Sequence, residues 1–199
     1  MYTEGNCAKI KAMTIVLASK SPARLKLLQE HGFDVITCPT DCDETTSKRL
    51  PGDVVQDLAH LKISAYRSGS SFRPDLPALA CDTLLWFDGK LIGKAHSEEE
   101  ARAQLKMLSG KTHQVYSGYS LLIDGKLYEG YDHTDVTFCT ITNKMLDDYI
   151  ASMEWKGAAG SYRIGGLADT FISNVKGSVS TVVGLPLERI SDIIKALRV

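Results

Sequence analysis

No stretch of this chain stays apolar for the ~18 residues that a membrane-spanning helix needs, so no bilayer-embedded function is expected. Excess charge of either sign is also missing. Lys and Arg number 23 against 24 Asp and Glu, a net charge of −1, so no basic surface calls for nucleic acid and a small-molecule partner is expected. The five cysteines, Cys7, Cys38, Cys42, Cys81 and Cys139, are scattered and odd in number. No C-x-x-C occurs, and the Cys38/Cys42 pair has no matching second pair, which argues against a zinc site. Reduced thiols in a cytoplasm fit that usage. The common phosphate motifs G-x-x-x-x-G-K-S/T and G-x-G-x-x-G are absent, as are G-x-S-x-G and any zincin arrangement of the histidines.

What the chain does have is a globular balance, 44% apolar and 24% charged over 199 residues. That length suffices for one packed domain, or for one domain with two lobes around a cleft. Residues 1–13 carry Lys9 and Lys11 but no long apolar run. They are expected to be a short extension, or an upstream start ahead of Met13, and not a secretory signal, with a single domain over 14–199. The pattern predicts strands near 14–19, 33–38, 78–86, 113–124, 127–141, 160–166 and 179–183. Helices are predicted near 22–31, 52–68, 97–108, 142–152 and 187–197. Asp88-Gly89 and Asp124-Gly125 lie between apolar alternating runs and signal hairpins. Two hairpins in an otherwise strand–helix chain argue for a mixed α/β sheet over a purely parallel one.

The segment Leu17-Ala18-Ser19-Lys20-Ser21-Pro22-Ala23-Arg24 lies where a strand gives way to a helix. Free backbone N–H groups, the positive end of the helix dipole and a nearby guanidinium make such a place fit for phosphate. Plain N-capping by Ser19 or Ser21 is the other reading of the same residues. Asp82 stands inside the near-continuous apolar run Ala78 to Phe87, and a carboxylate buried there needs a partner, a metal or a shifted pKa. Glu44 in an acidic loop, Lys62 on a helix and Lys94 after a hairpin would, taken singly, be solvated charges.

Together these segments resemble the Maf family of nucleoside triphosphate pyrophosphatases. The likeness runs from about residue 14 to 195. It is carried by Leu17-Ala18-Ser19-x-Ser21-Pro22-x-Arg24, Asp43-Glu44, Asp82-Thr83, Gly93-Lys94 and Leu108-Ser109-Gly110-x-x-His113-x-Val115. Ser117-Gly118, Ala159-Gly160-x-Tyr162 and Val183-Gly184-Leu185-Pro186-Leu187 complete it. The resemblance implies an inosine triphosphate pyrophosphatase-like fold, with a mixed, largely antiparallel extended sheet flanked by helices and two lobes around a cleft. It implies cleavage of a nucleoside triphosphate to monophosphate and pyrophosphate with Mg2+ or Mn2+, Asp82 as general base, and Glu44 with Asp82 near the metal. Ser19, Arg24, Lys62, Lys94 and Thr83 become substrate-binding candidates, and a homodimer is expected as in many relatives. Of the three positions that set the preferred base, Thr83 matches the subgroup acting on dTTP and UTP, while Ala23 and Gly165 depart from it. The 7-methyl-GTP subgroup is matched at none. Arg163, two residues from Gly165 on the predicted strand, is a candidate substitute. The vacated pair also leaves room for a nucleotide-binding regulator of septum formation with little turnover, or for a modified nucleotide as substrate.

Overall fold

The structure is a computed structural model and describes residues 13–197. The expected N-terminal extension lies outside the described residues, save for Met13, which opens the first strand. The first half of the chain forms β1 (Met13–Leu17), α1 (Pro22–Glu30), β2 (Phe33–Thr37), α2 (Pro51–Ser68), β3 (Ala78–Phe87) and β4 (Lys90–Ile92). The second half adds α3 (Glu98–Leu108), β5 (Thr112–Ile123), β6 (Lys126–Phe138) and α4 (Asn143–Ala151). A 3-10 turn at Leu167–Phe171, β7 (Ile172–Lys176), α5 (Val179–Val183) and α6 (Leu187–Leu197) follow.

The strands make one sheet in the order β2-β1-β3-β5-β6-β7, with β4 attached to β3. β1 pairs in parallel with β2 and β3, and the other pairings are antiparallel. The mixed, mostly antiparallel α/β sheet is therefore the one anticipated. Both hairpin turns put successive residues at positive φ, Asp88 and Gly89 at 49° and 71°, Asp124 and Gly125 at 49° and 74°. That is the type I′ geometry whose twist matches the flanking strands.

β1 and the first half of β3 read as continuous apolar runs because both faces of the sheet are covered there. Beneath α2, Ala78 and Ala80 pack with Ile63 and Tyr66. On the other face Leu79 and Cys81 pack with Leu28 of α1 and with Ile190 and Ile194 of α6. Farther along, Leu85 and Val115 enter a second core with Leu105, Leu108, Tyr149 and Phe171. Between the two cores the strands turn polar at one register, where Asp82 pairs with Gly118 and Thr83 with Ser117. One edge of β3 is unpaired over this step, since β1 leaves it at Leu79 and β4 joins it only from Leu85.

Two predicted strands are corrected. Residues 160–166 form turns, because Gly160 and Ser161 take φ of 65° and 62° and Gly165 takes 86°, outside any strand geometry. Val179–Val183 is the short helix α5, capped by the Ser178 side chain and closed by Gly184 at φ 107°. β4 is the second arm of the hairpin signalled by Asp88-Gly89, and the edge strand β7 is an addition that the pattern of alternation did not show.

Candidate active site

The polar step of β3 forms the floor of a cleft with a volume of about 690 Å³. Asp82 and Thr83, being neighbours on a strand, point to opposite faces of the sheet, and the open edge of β3 admits both to the cleft. Asp82 faces α2. Its Oδ1 accepts a hydrogen bond from Lys62 Nζ at 2.5 Å, and both side chains are only 14% exposed. The same ammonium stands 3.3 Å from Glu44 Oε2, so two carboxylates converge on one cation. Lys62 is thus no free surface lysine. α2 can bring it this close because Gly118, across from Asp82, has no side chain. A Cβ there would strike the Val55 carbonyl and the Gln56 nitrogen, and Lys62 lies two helical turns beyond Val55.

On the opposite face Arg24 binds neutral acceptors only. Its Nε donates to the Gly184 carbonyl at 2.8 Å, one terminal nitrogen to Cys81 O at 2.8 Å and Ser19 Oγ at 3.2 Å, and the other to Thr83 Oγ1 at 2.9 Å. Thr83 and Ser117 hydroxyls lie 2.8 Å apart, and Ser117 donates to Thr181 O at 2.8 Å. With the Ser117 proton committed to a carbonyl, Thr83 accepts from Arg24 and donates to Ser117. Gly184 sits at the end of this chain, where a Cβ would come within 2.9 Å of Thr83 Oγ1. The αL cap of α5 and the close approach of Arg24 therefore both require glycine at this position.

At the mouth, Ser21 caps α1 by accepting from the Arg24 backbone nitrogen, while Ser19 Oγ accepts from Ser21 N at 3.2 Å. Capping is thus realised at Ser21, and Ser19 serves the turn and Arg24. Pro22 has no N–H, which leaves the Ala23 N–H at the cleft edge without a capping acceptor. Lys20 pairs with Asp41 at 2.9 Å, on the surface. Lys94 follows β4 back toward the Asp82–Thr83 step and makes no ion pair among the described residues.

The far wall is the segment 157–164. Its backbone is fixed by a Lys94–Ala159 bridge and by Gly160 N donating to Gly93 O at 3.0 Å. Ser161 Oγ donates to Gln104 at 2.6 Å, and the Tyr162 hydroxyl meets His113 Nε2 at 2.7 Å inside the second core. Burial pushes the Tyr162 phenol above its ordinary range and holds His113 down at about 4, so both are neutral near pH 7. Arg163 is exposed and donates to the Lys156 carbonyl.

Asp82, Glu44, Lys62, Lys94, Arg24, Ser19, Thr83 and Ala23 all line this cleft, and Gly165 does not. Gly165 is turned to open space, its N–H donating to Asp169 at 2.9 Å. The sequence reading missed Gly184, which holds Arg24, Ser117 and Thr181, which orient Thr83, and the His113–Tyr162 pair behind the wall. Ser117-Gly118 and Val183-Gly184 stood among the family-like segments, but uncharged residues carry no chemical signal of their own.

The cleft lies in a mixed-sheet α/β protein, and two solved structures of Ham1 proteins share that fold. The Coxiella burnetii protein is 18% identical with a TM-score of 0.51, covering 92% of this chain and 99% of that one. The Staphylococcus aureus protein is 13% identical with a TM-score of 0.53, covering 92% and 98%. Within that class the chain belongs to the Maf-like protein family, which residues 14–197 match. It is 38% identical over 181 residues to a protein of Pyrococcus abyssi named dTTP/UTP pyrophosphatase, covering 91% of this chain and 95% of that one. A Bacillus thuringiensis protein of the same name is 37% identical over 177 residues, with 88% and 91% covered.

Proposed function

We propose that the protein hydrolyses a nucleoside triphosphate of the dTTP/UTP kind between its α and β phosphates, releasing the monophosphate and pyrophosphate, with Asp82 as general base. The observation that carries this reading is the placement of one carboxylate at the open step of β3, tied through Lys62 to Glu44, in a cleft lined from the other face of the sheet by the Arg24 guanidinium, which has no carboxylate partner among the described residues. The family and the names of its relatives support the substrate class.

Asp82 Oδ1 is occupied by Lys62, and Oδ2 has no partner among the described residues. A water held against Oδ2 gives up its proton as its oxygen attacks the α phosphorus. The bond to the bridging oxygen breaks, and pyrophosphate leaves with the electron pair. Arg24, Lys94 and the Ala23 N–H offset the triphosphate charge, and Arg24 keeps its full charge because its acceptors are neutral. Glu44 and Asp82, already converging on one cation, fit the sparse carboxylate set that Mg2+ or Mn2+ takes alongside phosphate oxygens. When bound there, a divalent ion would supply further charge neutralisation to the phosphates.

The test is pyrophosphate release from dTTP, UTP, CTP, 7-methyl-GTP and ITP with Mg2+ or Mn2+. Asp82→Asn is expected to lower kcat by at least about 100-fold while its circular dichroism matches the parent. An Asp82→Asn protein of near-parental activity would remove Asp82 from the base role. A folded parent that cleaves none of these nucleotides would favour the regulator reading, which the side-chain loss at Ala23 supports.

A further inference from the structure

The three positions expected to choose the base are poorly able to do so here. Thr83 has committed its proton to Ser117 and receives one from Arg24. Ala23 offers no polar side-chain atom. Gly165 has no side chain and stands off the cleft. The far wall supplies another side chain that can discriminate. Arg163 lines the cleft, is exposed, and has a neutral carbonyl, Lys156 O, as its only hydrogen-bond acceptor among the described residues. One guanidinium nitrogen lies 3.5 Å from where a Cβ on Gly157 would be, so the head is folded back over that turn. Its backbone is held on the N-terminal side by Ser161 to Gln104 and Tyr162 to His113.

The direction of the substrate follows from the distribution of groups. Ser19, Arg24, Lys62 and Lys94 gather around the Asp82–Thr83 step, which places the phosphates there. The nucleoside then extends to the wall formed by Ala158, Tyr162 and Ile164 with Val182 beside it, an apolar slot suited to a base ring. Arg163 borders that slot. A guanidinium carries five donors and no acceptor. It can bond O4 of uracil or thymine, whereas cytosine carries at that position an exocyclic amine to which a donor offers nothing; O2 is common to all three bases and does not discriminate.

We propose that Arg163 is the specificity residue of this chain, donating to O4 of the base and thereby selecting keto over amino pyrimidines, an inference that rests on the nucleotide reading above. The experiment compares kcat/KM for UTP and CTP, and for dTTP and dCTP, in the parent, Arg163→Ala and Arg163→Lys. Calorimetric binding of α,β-imido analogues of UTP and CTP, which resist cleavage at the proposed bond, is measured alongside. The parent is expected to favour UTP over CTP by at least about tenfold. Arg163→Ala is expected to lose that preference by falling on UTP with CTP unchanged, and Arg163→Lys, without the planar fork, to recover only part of it. An equal fall on both nucleotides would assign Arg163 to phosphate or to the fold and overturn the proposal, as would a preference that survives in Arg163→Ala. A parent that turns over neither nucleotide, yet binds the uracil analogue more tightly in an Arg163-dependent way, would overturn the hydrolase reading and uphold this one. Equal or absent binding of the two analogues would overturn the role of Arg163 whatever the turnover.

Discussion

Arg24 shows how a side chain can be immobilised without being discharged. Pairing it with a carboxylate would fix its geometry but cancel the field it presents to an incoming triphosphate. Two backbone carbonyls and two hydroxyls fix it as firmly and leave its charge intact. Thr83→Val keeps the shape of that site and removes the hydroxyl, leaving an Arg24 N–H and the Ser117 oxygen each short of a partner. Stability is expected to fall by about 1–2 kcal/mol in urea unfolding. KM for the nucleotide is expected to rise more than kcat falls, with Thr83→Ser restoring both. A Thr83→Val protein with unchanged KM would show that Arg24 is positioned by its carbonyl contacts alone. None of this was visible in the sequence, where Thr83 and Arg24 stood out as polar residues but Arg24 is held by main-chain atoms of Cys81 and Gly184, distant from it along the chain, and Thr83 by Ser117.

The elements that place Lys62 depend on a close approach of helix to sheet. Gly118 lets the α2 backbone at Val55 lie directly on β5, and Gly52 similarly lies against the Tyr131 ring. Gly118→Ala forces α2 outward and is expected to cost about 1–3 kcal/mol, the range for overpacking, measured as a lower urea midpoint. The displaced helix carries Lys62 away from Asp82, so activity should fall further than in a surface control such as Gly89→Ala in the β3–β4 hairpin if the two are matched for stability. β1, β3 and both hairpins were legible because buried apolar runs and Asp-Gly turns are local signals. The segments 160–166 and 179–183 were not. In the first, apolar residues sit among the positive-φ positions Gly160, Ser161 and Gly165, and Gly160 packs against Leu85 with no room for a Cβ. In the second, a β-branched stretch is drawn into a single helical turn or so by the Ser178 cap and the Gly184 stop. Tertiary context overrode propensity in both places, and these are the segments that wall the cleft.

Taken across the whole molecule, the sheet joins two cores, and the site occupies the polar seam between them, so conditions that loosen either core should reach the cleft. No helix among the described residues is long and apolar enough to cross a membrane. The second core contains a titratable group at its centre. His113 is 1% exposed, touches Phe138 and Tyr162 edge-on, and its Nδ1 has no hydrogen-bond partner among the described residues. Burial holds its pKa at about 4 against 6.5 for the free side chain. Because the folded pKa is the lower one, the unfolded chain binds the proton more readily as pH falls. The neutral imidazole therefore costs nothing above pH 6.5, and stability drains away as the pH drops from 6.5 toward 4. The full difference corresponds to about 3 kcal/mol. Urea unfolding at pH 7.5 and pH 5 should show this loss in the parent. His113→Gln, which keeps an acceptor for the Tyr162 hydroxyl but does not titrate, should be less stable at pH 7.5 and should show a smaller loss on going to pH 5. Equal losses in the two proteins would place the acid sensitivity on carboxylates elsewhere. Since Tyr162 belongs to both the cleft wall and this core, nucleotide binding in the parent should weaken over the same acid range, and less so in His113→Gln.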